Sequence, residues 1–163
     1  MKLNTKRNDD SGFTLIELMV VVLVIAILLA IAIPTFLGAR KRAQDTVAKS
    51  SLRNALSAAN IMYSDAQTFA TADENATTGL PTVEPSLTYA ASATASTGPK
   101  VLSLSAAAGT WGAAALSSSG TCYTIKIVAA TGAVTYGSGA AAASCTGAVA
   151  VGSATGAATG ANW

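Results

Sequence analysis

Few side chains in this sequence are of a type, and at a spacing, that can do chemistry. There is no histidine among the 163 residues. That removes Ser-His-Asp and Cys-His nucleophilic catalysis, imidazole proton transfer near neutral pH and the usual His-containing zinc sites. Catalysis is disfavoured before any motif is considered, and no metal or cofactor is expected. Cys122 and Cys145 are the two cysteines; they lie in a Ser/Thr/Gly-rich stretch without metal-ligand spacing. One disulfide in an oxidising compartment fits them. It would close a loop of about 24 residues, worth roughly 3.5 kcal/mol in chain-entropy terms. The adjacent carboxylates Asp73 and Glu74 stand in a polar stretch, where a solvated pair is expected in preference to a calcium site. Asn75-Ala76-Thr77 has the form of a glycosylation sequon, a weak signal in so threonine-rich a chain. The last candidate is Glu17, the single charge in residues 13–33.

The element that carries Glu17 dominates the chain. Residues 13–33 read FTLIELMVVVLVIAILLAIAI, and as a helix they would span roughly 31 Å, enough for the hydrocarbon core of a bilayer. The run is apolar on every face, so lipid or protein must cover it. The rest of the chain is too small and too alanine-rich to do so: 51% of residues are hydrophobic, but 36 of them are alanine. The length allows one domain plus a tail. A net charge of +2, from 10 basic and 8 acidic residues, argues against a general polyanion binder. A secretory signal has an apolar part of about 7–15 residues and a small-residue cleavage site. This run is longer and leads through Pro34 to Arg40-Lys41-Arg42, so it reads as retained. Charge and cysteines disagree on orientation. Lys2, Lys6 and Arg7 precede the run, whereas Arg40, Lys41, Arg42, Lys49 and Arg53 follow it, which would place the C-terminal part in the cytoplasm. The cysteine pair favours the outside.

Local readings exist for each junction residue. Thr14 and Glu17 have the spacing of a capping box, which satisfies free backbone N–H groups at a helix start. Pro34 either ends the membrane helix or kinks a longer one, and Gly12 can be an ordinary loop glycine. Downstream, Phe36, Ala39, Ala43, Val47, Leu52, Ala55, Leu56, Ala59, Met62, Tyr63 and Ala66 recur mostly at spacings of three and four, with Arg42, Asp45, Lys49 and Arg53 on another face. That favours one helix over about 14–66, apolar all round in its first half and amphipathic in its second.

Beyond residue 68 the chain reads as β. Residues 70–100 are expected to form a long loop with a short strand near 87–91. Further strands are expected at 100–105, 110–116, 121–129, 133–136 and 146–151. Those at 121–129 and 133–136 form a hairpin, with Tyr123, Ile125 and Ile127 facing the helix. The expected fold is α+β, a long helix on a small antiparallel sheet of three to five strands. The tail is low in complexity and expected to be poorly ordered, with packing of Trp163 on the sheet, or against a neighbour, as the alternative.

The junction resembles a known family. A short basic leader ending in Gly12, then Phe13-Thr14-Leu15-Ile16-Glu17 and a long apolar run, is similar to the type IV prepilin signature shared by pilins and by the pseudopilins of type II secretion. The likeness covers the first 34 residues. It implies cleavage after Gly12, N-methylation of the new terminus at Phe13, and pairing of Glu17 with an N-terminal amine during assembly. Pro34 falls on a proline often found at the end of the run. It implies a cleaved leader (1–12), a transmembrane and filament-core helix (13–34), its amphipathic continuation (35–66) and a globular β domain outside the cell (67–163), which agrees with the cysteines. The partners implied are other copies of the chain, the prepilin peptidase, the inner-membrane assembly platform and the lipid bilayer before assembly, with DNA or host surfaces open. The expected protein is a pilus subunit and not an enzyme. The alternatives are a pseudopilin of a secretion or competence system, and a bitopic anchor for a binding domain.

Overall fold

The structure, a computed structural model, describes residues 12–140, 144–152, 160 and 163. The elements are helix α1 (Leu15–Ala66), a 3-10 turn (Leu80–Thr82), strands β1 (Thr88–Ala90), β2 (Val101–Ala107), β3 (Thr110–Leu116), β4 (Cys122–Val128) and β5 (Ala133–Ala140), and a short helix α2 (Gly147–Val151). The chain divides after Ala39 into two compact units, taken separately below.

Pro34 lies inside α1 and does not end it. Proline has no N–H, so the Ala30 carbonyl loses its helical donor. One residue on, the Thr35 hydroxyl donates to the Ile31 carbonyl at 2.9 Å. The helix stops at Ala66 because Gln67 turns left-handed, at φ 53°, and its N–H closes back on the Tyr63 carbonyl at 2.8 Å. This termination is one that glycine usually supplies.

The second unit is a five-stranded sheet in the order β1-β2-β3-β4-β5. From β2 to β5 it is an antiparallel meander. The β1–β2 pair is parallel, so the sheet is mixed where an all-antiparallel one was expected. A tight hairpin can join only antiparallel neighbours; residues 91–100 are long enough to carry the chain back to the start of β2. The register sets Tyr123, Ile125 and Ile127 of β4 opposite Ala115, Ala113 and Trp111 of β3. These side chains are buried in one cluster with Ala48, Leu52, Ala55 and Ala59 of α1, as the alternation in β4 predicts. Small residues on both elements let the helix backbone approach the sheet, and Trp111 supplies bulk, its indole N–H donating to the Ala72 carbonyl at 2.9 Å.

The strand expected at 146–151 is instead α2, a correction with a clear cause. Thr146 caps the helix, its hydroxyl accepting from the Val149 N–H, and this local bond competes with an extended chain. Packing then selects the helix. A Cβ placed on Gly147 would lie 2.3 Å from the Leu104 carbonyl carbon, so α2 rests directly on the β2 backbone. The Ser103 hydroxyl accepts from the Gly147 N–H at 2.8 Å and donates to the Ala91 carbonyl at 3.1 Å. Gly147→Ala forces backbone apart and is expected to cost about 1–3 kcal/mol, read as a lower denaturation midpoint of the full chain in detergent.

Asp45 ties α1 to the turn between β3 and β4. Its Oδ1 accepts from the Ser117 hydroxyl at 2.7 Å and from the Ser119 hydroxyl. Desolvation pushes this carboxyl up, but the bonds from Ser119, Ser117 and Tyr123 and the charge of Lys49 outweigh it, and the net shift is downward. A depressed native value makes the contribution full above the ordinary carboxylate pKa of about 3.9 and lost as pH falls through the lower native value. The stability gap between wild type and Asp45→Asn should therefore close as pH drops below about 4, as denaturant titrations at stepped pH would show.

Candidate assembly site on the N-terminal helix

In the first unit the apolar residues of α1 are exposed throughout: Leu15 is 73% accessible, Leu28 62% and Ile31 69%. Among the described residues, nothing in that unit covers them. α1 is long and apolar enough to cross a membrane. Its surface carries shallow grooves between side-chain rows, one lined by Leu15, Leu18, Met19, Val22, Leu23 and Ala26. Spacings of three, four and seven are the geometry by which one helix seats the ridges of another. A second groove is lined by Phe13, Ile16, Val20 and Val21 and includes Glu17, so the carboxylate shares an otherwise apolar groove with the residue two positions before the helix.

The start of α1 is built by Thr14 and Glu17. The Thr14 N–H and hydroxyl both donate to Glu17 Oε2, at 2.8 and 2.7 Å. The Glu17 N–H returns to the Thr14 hydroxyl at 3.3 Å. This is the reciprocal capping box that the spacing predicts, with Thr14 as cap and Glu17 three residues into the turn. Its negative charge at a helix N-terminus is also favourable to the helix dipole. Gly12 precedes the helix and is exposed, and a Cβ there would meet nothing within 4 Å. Phe13, next to it, is exposed as well. Pro34 lies 17 positions beyond Glu17 on the same helix and makes no contact with this start.

The other candidate residues lie in the second unit. Cys122 and Cys145 are disulfide-bonded, with Cα atoms 5.5 Å apart, and both are buried. Asn75 is exposed; its Oδ1 accepts from the Thr77 N–H and hydroxyl at 3.0 and 2.8 Å, while Asp73 Oδ1 accepts from the Asn75 N–H. These carboxamide and carboxylate oxygens shape a turn. Sequence reasoning missed Asp45 as a partner of Ser117 and Ser119; the partners lie 72 and 74 positions away, and no local pattern marks them.

Residues 7–33 match the family described as "Prokaryotic N-terminal methylation motif". The chain is 54% identical over 48 residues to the type IV wide pilus major component PilA4 of Thermus thermophilus, covering 29% of this chain and 37% of that protein. It is 40% identical over 65 residues to the type IV major pilin protein PilA of Myxococcus xanthus (40% and 30%). It is also 45% identical over 58 residues to the type II secretion system core protein G of Pseudomonas aeruginosa (36% and 40%). The matches span 30–40% of the length of these curated relatives. No solved structure matches the chain. The chain thus carries the methylation motif at residues 7–33 and is similar, over 48 to 65 residues, to two type IV pilins and to a type II secretion core protein.

Proposed function

We propose that this protein is the structural subunit of a type IV pilus and has no catalytic role. The observation that carries the reading is the exposed, all-round apolar start of α1, headed by Gly12-Phe13 and bearing one carboxylate, Glu17. Before assembly this helix is covered by lipid, with the leader on the cytoplasmic side and the disulfide-bonded domain outside. A prepilin peptidase cuts after Gly12 and methylates the amine at Phe13. The inner-membrane assembly platform then extracts subunits one by one, and their helices cover one another in the centre of an extracellular filament. Apolar burial and helix packing supply the cohesion. Stacking of identical subunits through non-identical surfaces does not close, so the product is an open fibre. Glu17 pairs with the Phe13 amine of a neighbour and sets the axial stagger; an isolated carboxylate away from water is costly, and a cation offsets it.

Mass spectrometry of fibres sheared from cells tests this. Their main protein should begin at Phe13 with a methylated amine; a chain that still begins at Met1 and stays in the membrane overturns the proposal. The likeness to a type II secretion core protein supports a second reading, a pseudopilin that uses the same assembly chemistry in a short piston. Long fibres at native expression favour the pilus; their absence, with normal processing, favours the piston.

A further inference from the structure

Two segments of the second unit are rich in small polar residues, the C-terminal tail and the loop from α1 to the 3-10 turn. In the tail, Trp163 packs on the sheet, its indole N–H donating to the Gly137 and Thr124 carbonyls at 2.9 and 3.2 Å. The expectation of poor order falls on residues 153–159 and 161–162, which lie outside the described residues. The loop is described in full. Its base is buried, since Ala72 and Leu80 belong to the core cluster, and the Leu80 N–H donates to the Asp73 carbonyl at 2.9 Å. Within this closure the Gly79 N–H donates to the Asn75 carbonyl at 2.8 Å. A Cβ on Gly79 would lie 2.8 Å from the Asn75 nitrogen, so glycine lets the loop close. Residues 74–78 form its exposed tip.

Of the six asparagines in the chain, Asn75 alone has Ser or Thr two positions on. In the tip its Oδ1 is held by the Thr77 N–H and hydroxyl, at 3.0 and 2.8 Å. Among the described residues its Nδ2 has no partner, so the nitrogen of the carboxamide is left free. An amide nitrogen is a poor nucleophile because its lone pair is delocalised into the carbonyl. A hydroxyl donating to Oδ1 draws charge onto the oxygen and makes the Nδ2 protons easier to remove. Asp73 Oδ1 accepts from the Asn75 N–H at 3.0 Å, which holds a carboxylate beside the acceptor.

We propose that Asn75 is the acceptor of an N-linked sugar, transferred outside the cytoplasm from a lipid-linked glycosyl diphosphate. In the step, the bond from the anomeric carbon to the diphosphate oxygen breaks and one from that carbon to Nδ2 forms. The lipid diphosphate leaves with the electron pair, and a base of the transferase takes the Nδ2 proton. The transferase reads the Thr77 hydroxyl two positions after the acceptor, and the Asp73 carboxylate offers a basic group of that enzyme a charged partner. A lipid-linked donor fits because the precursor sits in the same membrane. From the pilus reading the proposal needs only that the disulfide-bonded domain lies outside.

The test is peptide mass spectrometry on the protein isolated from its own cells, where trypsin releases residues 54–100 as one peptide. That peptide should carry added sugar mass that fragmentation places on Asn75 and that survives mild alkali. Occupancy should fall about tenfold or more in Asn75→Gln and Thr77→Ala, and hold in Thr77→Ser and Thr78→Ala. Asp73→Asn keeps an acceptor for the Asn75 N–H but loses the charge, and should lower occupancy about threefold or more. Sugar that alkali releases, or that fragmentation places on Ser or Thr, overturns the assignment to Asn75. Unchanged occupancy in Thr77→Ala overturns the reading of the hydroxyl. An unmodified peptide overturns the proposal as a whole. The same digest shows whether the chain begins at methylated Phe13 or at Met1, so failure here and failure of the pilus reading are read separately.

Discussion

Cells carrying Glu17→Ala are expected to hold a normal level of the protein in the membrane and to display no surface filaments. Two effects of the substitution must be separated. Alanine removes the Oε2 acceptor of the Thr14 N–H and hydroxyl, and loss of a cap interaction costs about 1 kcal/mol. That frays the first turn but does not unfold a 52-residue helix. The larger effect is on assembly, because Glu17 is the one charge in residues 13–33 and the proposed partner of a cationic amine. The loss recurs at every added subunit, and each 1.4 kcal/mol is about tenfold in the elongation constant. Glu17→Gln distinguishes the two. Its carboxamide oxygen can still accept from Thr14, so a cap role alone would restore fibres, whereas charge pairing would not. Electron microscopy of sheared material, beside immunoblots of membranes, reads both variants. Abundant fibres from Glu17→Ala refute the assembly role.

The second large effect is on stability. Replacing both Cys122 and Cys145 by serine should lower the domain's stability by roughly 3.5 kcal/mol, the chain-entropy value for a closed loop of this size. In a domain of this length that is on the order of 10–20 °C in the melting temperature. The bond joins the start of β4 to the segment just before α2, and that segment is also held by the Ser96 N–H, which donates to the Cys145 carbonyl at 2.8 Å. Without the disulfide α2 keeps its cap, the bond from the Ala148 N–H to the Ser92 carbonyl at 3.1 Å and its packing on β2, β3 and β4, but a five-residue helix does not stand alone. Thermal melts of the full chain in detergent, with and without reductant, provide the measurement. A melting temperature that moves by less than about 3 °C would show that the loop is already constrained in the unfolded chain.

Burial explains a third asymmetry, between the two halves of α1. In the second unit Ala48, Leu52, Ala55 and Ala59 are fully buried, so polar substitutions there act on folding. In residues 13–33 every large apolar side chain is exposed, and on the proposed function substitutions there are expected to act on membrane retention and packing between copies.

What the sequence by itself determined is what depends on neighbours in the chain. The capping box at Thr14 and Glu17 is a contact across three positions, and a continuous 3.6-residue period carries α1 past Pro34, since one missing N–H does not outweigh a long helix. Period-2 alternation marks β4, and a lone cysteine pair has one way to bond. The tertiary structure alone decided the rest. Residues 146–151 became a helix because Gly147 had to meet the Leu104 backbone, and β1 lies parallel because its partner is reached by a long return. Asp45 found its serines 72 and 74 positions away, and Trp163 reached carbonyls 26 and 39 positions back. These outcomes are set by which surfaces meet once the helix and sheet have packed, and the closure of long loops leaves no periodic trace in the residues that close them.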